Sequence, residues 1–189
     1  MPTPSSPAKL TADGQMRTLL DGALFQEIQQ FHREHRPVPE DISGNPYITT
    51  TRRCTKKGIV PVLMTELPDV LKAKLHAGLQ PIAEAWVERK LIPTYVYGVR
   101  TYQRGAMLAL HRDRDGTHIV SAILNVDQRV EVPWSLRLSS EDGEPAPWRE
   151  IYLTPRELVF YEGNRLTHGR PNQLVGESYS NVFIHFKLA

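Results

Sequence analysis

The chain has 189 residues, with 23 Lys and Arg against 21 Asp and Glu for a net charge of +2. That length suits one domain with a sizeable core. A composition 40% hydrophobic and 23% charged is that of a soluble globular protein. No run approaches the ~18 consecutive apolar residues of a membrane span, and so small a net charge argues against a nucleic-acid partner. Cys54 is the only cysteine. A disulfide framework and a thiolate zinc site within one chain are therefore excluded, and a reducing, cytoplasmic setting is expected.

Residues 1–14, rich in Pro, Ser, Thr and Ala, read as a loose N-terminal segment. Residues 15–189 read as a single domain, with helical support over about 15–92 and a strand-rich core over about 93–189. From Gln15 to His35, Leu19, Leu20, Ala23, Leu24, Ile28 and Phe31 recur at helical spacing, and Pro37 and Pro39 end the pattern. Arg52 to Lys57 is the one basic cluster and reads as a solvated loop. Ile59 to Met64 reads as a strand, with Pro61 pointing to a sheet edge. A second helix is expected from about Pro68 to Lys90, burying Leu71, Leu75, Leu79 and Trp86, with a kink at Pro81.

After Pro93 the texture changes to short β-branched and aromatic runs. Strands are expected over Tyr95–Tyr102, Met107–Leu110, Ile119–Val126, Ser135–Leu138, Glu150–Leu153, Leu158–Tyr161 and Tyr179–Phe186. Turn signals such as Asp142-Gly143-Glu144-Pro145 and Glu162-Gly163-Asn164 separate them. Many short strands without intervening helices argue for a sandwich or jelly-roll barrel. Helices first and strands later make the class α+β.

His111 and Asp113 are two residues apart, so in extended chain their side chains leave on one face. A distal histidine, His168, follows several strands later. Two imidazoles and one carboxylate on one face of a metal leave three positions open, the facial triad of non-haem Fe(II) oxygenases.

With Tyr102 and Gly105 before the H-x-D tripeptide and an apolar strand before His168, the stretch from Tyr95 to Phe186 resembles the 2-oxoglutarate/Fe(II)-dependent dioxygenase superfamily. Its prolyl 4-hydroxylase-like branch is the most similar. The resemblance implies a double-stranded β-helix, a jelly-roll or cupin-like form. It implies Fe(II) on His111, Asp113 and His168, with 2-oxoglutarate and O2 as cosubstrates and ascorbate as a supporting reductant. Such enzymes hydroxylate an unactivated C–H bond and release succinate and CO2. Because Asp113 is present, halogenation is not expected.

The resemblance places Tyr102 against the cosubstrate. It also expects Arg or Lys on the last strand for the distal carboxylate, where this chain has Ser178. A buried dianion needs a cation. Arg170, two residues after His168, points to the same face and is the expected substitute, with Ser178 and Ser180 completing the contact and Lys187 as runner-up. By strand alternation His185 faces opposite to Ser178 and Ser180, and is expected to point away from the site. Arg100, Arg112, Arg114 and Trp134 are candidates for the barrel mouth. The substrate expected is an amino acid, free or peptide-linked, or another small metabolite, with no membrane partner and an open oligomeric state. Two other readings share the motif: an oxidative demethylase, and a non-catalytic metal-binding jelly roll.

Overall fold

A computed structural model describes residues 7–50, 62–139 and 147–189. The basic cluster around Cys54, Pro61 and the Asp142–Pro145 turn lie outside the described residues. Strand β1 (Gln15–Leu19) opens the fold, followed by helix α1 (Gly22–Glu34), β2 (Val38–Pro39), β3 (Ile48–Thr50), β4 (Val62–Thr65) and helix α2 (Asp69–Val87). Nine strands complete it: β5 (Leu91–Val96), β6 (Val99–Gln103), β7 (Ala106–His111), β8 (Val120–Val130), β9 (Leu136–Ser139), β10 (Trp148–Ile151), β11 (Glu157–Tyr161), β12 (His168–Arg170) and β13 (Gly176–Leu188).

The first helix begins later than its periodicity predicts. Asp21 supplies the cap, its carboxylate accepting from the amides of Ala23 and Leu24 at 3.0 Å. Gln15 to Leu19 instead pairs antiparallel with β11, Met16 opposite Phe160. Helix α2 runs on through Pro81. At Leu10 and Thr11 the chain ahead of β1 is tied down. The amides of Leu10 and Thr11 both donate to the Glu162 carboxylate at 3.0 Å, and Leu10 packs against the core.

Two antiparallel sheets face each other. The larger runs β1-β11-β8-β13-β6-β4-β2, with β5 also on β13, and the smaller runs β10-β9-β12-β7-β3. Strand β4 therefore lies between β6 and β2. The large sheet is buried on both faces. Leu124, Leu158, Phe160, Val182, Ile184 and Phe186 pack against the helices through Leu71, Leu75, Leu79 and Ile28. Trp86 joins this packing, 6.1 Å from the Phe160 ring. The alternate residues Tyr102, Ile123, Val159, Tyr161, Tyr179 and Phe183 fill the space between the sheets with Trp134, Leu136 and Leu138. Among the described residues, no helix is long and apolar enough to cross a membrane.

A buried ion pair closes the barrel next to its functional end. Arg165 donates to Glu162 at 2.7 Å, and their side chains are 2% and 1% exposed. Burial opposes the charge on Glu162, but Arg165, the Leu10 amide and Thr11 outweigh it and hold the carboxyl below its ordinary value. A carboxyl so depressed stabilises the fold above the unfolded glutamate pKa and loses that contribution as pH falls. Glu162→Ala is expected to cost about 3 kcal/mol by denaturant unfolding, because it strips the carboxylate from a buried guanidinium. Glu162→Gln is expected to flatten the acid limb of the stability–pH profile.

Candidate metal centre

The smaller sheet builds the centre. Strand β12 pairs with β7 so that His168 lies directly opposite His111, their rings 4.5 Å apart. Asp113 follows β7 on a loop pinned by its own amide, which donates to the Gly163 carbonyl at 2.9 Å. Asp113 Oδ1 stands 3.8 Å from His111 Nε2 and 3.5 Å from His168 Nε2. One ligand atom from each of the three lies within 4.8 Å of the others.

Both imidazoles are set for metal binding by the same device. Nδ1 of His111 bonds the Ala109 carbonyl at 2.8 Å, and Nδ1 of His168 bonds the Leu166 carbonyl at 2.9 Å. A carbonyl only accepts, so each Nδ1 carries the proton and each Nε2 presents a lone pair. Burial, helped by the neighbouring His168, lowers His111 to about 4, which keeps it neutral at physiological pH. Burial works against the charge on Asp113. The His168 imidazole and the Ser121 hydroxyl outweigh it and hold the carboxyl well below its usual range. With both Nε2 atoms deprotonated, the two imidazoles and the Asp113 carboxylate form a donor set that suits a divalent iron.

Above the triad a cleft of about 450 Å³ opens, lined by Tyr47, Tyr97, Arg112, Arg114, His118 and Phe183 among others. Tyr47 stacks on His111 at 4.2 Å. Arg100 also lines the cleft, paired with Glu40 by two contacts of 2.7 and 2.5 Å. Trp134 is not at the mouth. It is buried, and its indole donates to the Asn172 carbonyl at 2.7 Å.

Arg170, two residues beyond His168 on β12, is 1% exposed; the pairing with β7 shifts register between them, so that His168 meets His111 and Arg170 meets Leu108. The Arg170 guanidinium lies against two aromatic rings, 4.7 Å from Trp134 and 4.5 Å from Tyr179, and donates from Nη1 to the Trp134 carbonyl. Among the described residues the buried Nη2 has no hydrogen-bond partner, and neither has the buried Tyr102 hydroxyl. Tyr102 stands edge-on to Trp134 at 5.2 Å, so the two unpartnered groups share one aromatic chamber.

The serines belong elsewhere. Tyr179 is paired with Tyr102, and both fill the interior; Ser178 is paired with Gln103 and Ser180 with Thr101 on the other face. The Ser180 hydroxyl is bonded to Thr101 Oγ1 at 2.9 Å, and Ser178 is not brought to Arg170. Lys187 lies opposite Ile92, at the far end of β13 from Tyr179. Alternation correctly sets His185 opposite to the serines, but the interior is the odd-numbered face. His185 therefore lines the cleft, lowered to about 3 by burial, with Nδ1 2.9 Å from Ser121 Oγ. Sequence reasoning had no signal for this, because β13 is buried on both faces and carries no polar–apolar alternation.

No protein-family model and no curated relative matches the chain. Solved structures do. A prolyl-4-hydroxylase of Pseudomonas putida aligns with a TM-score of 0.62 at 13% identity, covering 94% of each chain. HygX of Streptomyces hygroscopicus, bound to nickel, 2-oxoglutarate and hygromycin B, aligns at 0.65 with 12% identity over 94% of this chain and 84% of that one. The fold is a double-stranded β-helix. A Trichoplax adhaerens prolyl hydroxylase in complex with a hypoxia-inducible-factor peptide aligns at 0.62 and 12% identity, over 92% of this chain and 84% of that one.

Gly163 is a further requirement that its turn-like sequence hides. A Cβ there would overlap both Asp113 Oδ2 and Ser121 Oγ. Gly163→Ala is expected to displace the Asp113 carboxylate and weaken Mn(II) binding about tenfold or more, measured by titration calorimetry.

Proposed function

We propose that the protein is an Fe(II)- and 2-oxoglutarate-dependent dioxygenase that hydroxylates an amino acid, free or peptide-linked. The observation that carries this reading is the buried Arg170 guanidinium, with one nitrogen unpartnered among the described residues, two residues from the distal histidine of a preformed His-Asp-His triad. A cation in a dry chamber calls for an anion, and a dicarboxylate reaching from the metal to Arg170 would satisfy both ends. When bound, iron and 2-oxoglutarate supply an oxidant made from O2, with succinate and CO2 as co-products.

The chain's own residues do the rest. His111, Asp113 and His168 hold the metal on one side and leave the cleft side open. Arg170 and the Tyr102 hydroxyl grip the distal carboxylate, while Trp134 and Tyr179 keep water from the guanidinium. Contact with both rings pre-orients that guanidinium, so little entropy is lost when it binds. At the mouth Arg112 and Arg114 favour a substrate bearing a carboxylate, as an amino acid does. Both a peptide and a small molecule are bound by structural neighbours, which fits either form of the substrate.

The test loads the protein anaerobically with Fe(II) and 2-oxoglutarate, then admits O2 with candidate amino acids and peptides. Succinate formation stimulated by a substrate is expected. Metal binding without any succinate would leave a non-catalytic metal-binding module. Arg170→Ala is expected to weaken 2-oxoglutarate binding by about 3 kcal/mol, roughly a hundredfold. An unchanged affinity would remove Arg170 from the cosubstrate site.

A further inference from the structure

The third ligand is a carboxylate, and a carboxylate has two oxygens able to reach a metal. Only one of them faces the imidazoles. Asp113 Oδ1 is the oxygen near His111 Nε2 and His168 Nε2, while Oδ2 accepts a hydrogen bond from Ser121 Oγ at 2.7 Å. A carboxylate oxygen accepts, so the Ser121 proton is committed to it. The lone pair left on Ser121 Oγ faces His185 Nδ1 at 2.9 Å, which must then be the protonated nitrogen. The bonds run in one direction, from His185 to Ser121 to Asp113.

Each member of the chain is held. Ser121 and His185 face each other across β8 and β13 in the regular ladder, and both are buried. The His185 ring lies 3.9 Å from the His118 ring, tilted by 40°, and stands edge-on to Tyr97 at 5.6 Å, which fixes its plane. On the remaining side of Oδ2 lies Gly163, whose missing Cβ leaves room for the Asp113–Ser121 contact.

We propose that Ser121, backed by His185, is a positioning residue that fixes which oxygen of Asp113 faces the metal and restricts the carboxylate to that single oxygen. This rests on the reading of the triad as a metal centre. Holding one oxygen back preserves the open positions that a chelating cosubstrate requires. Without the Ser121 hydroxyl the carboxylate would be free to turn about its terminal torsion.

The test is Co(II) binding to the apoprotein, read as a dissociation constant and as the visible ligand-field spectrum, with no turnover involved. Ser121→Ala is expected to weaken Co(II) binding by about ten- to a hundredfold and to change the spectrum. His185→Leu removes the backing donor and is expected to shift both in the same direction by up to about tenfold. His185→Asn, whose amide N–H can stand in for Nδ1–H, is expected to restore the wild-type spectrum. Ser121→Ala with wild-type affinity and spectrum would overturn the proposal. If Ser121→Ala does not fold, the His185 pair decides: identical spectra for His185→Leu and His185→Asn overturn it. A wild-type protein that fails to bind Co(II) would instead overturn the metal centre itself.

Discussion

The pairing of His168 with His111 across β12 and β7 is the contact on which the site depends. Strand β12 is only three residues long, yet it lies between β9 and β7 and brings the distal ligand opposite the proximal one. Backbone then completes what pairing begins. Each histidine turns its Nδ1 proton back on the carbonyl two residues before it, so the ladder that sets the distance also leaves both Nε2 atoms free to bind metal. Because Gly169 packs against the Leu108 and Ala109 carbonyls, no bulkier residue fits between the two functional positions of β12.

The barrel separates two kinds of interior. Between the helices and the large sheet the packing is apolar, as a stable core requires. Between the sheets, aromatic residues surround a file of polar groups: Arg170 and Tyr102 below the triad, and Ser121 and His185 beside it. Buried polar groups persist only when paired, and those around Asp113 are paired throughout. Arg170 differs. It has one backbone partner and two aromatic faces, but among the described residues its second nitrogen has no acceptor.

The helices brace this arrangement from outside. Even-numbered residues of β13 pack against them, and odd-numbered residues reach the cleft, so a single strand serves both the core and the site. Substitutions on the two faces of β13 should therefore separate stability from binding.

From the sequence alone the metal ligands, the strand-rich second half and the helical first half were all legible. Identity of residue type and an i, i+2 spacing suffice for His111 and Asp113, and the run of short strands implies a barrel that can return His168 to them. The identity of the inward face of β13 was not legible. Its alternation put His185 opposite to Ser178 and Ser180, but a strand apolar on both sides does not say which face is the inside. That choice is made by long-range packing: Val182, Ile184 and Phe186 meet the helices, and Tyr179 and His185 are thereby turned toward Arg170 and Ser121. The same holds for Gly163, whose lack of a side chain matters only once folding sets Asp113 and Ser121 against it. Residue chemistry and local spacing determine which groups are able to bind; the register and facing of distant strands decide which of them meet.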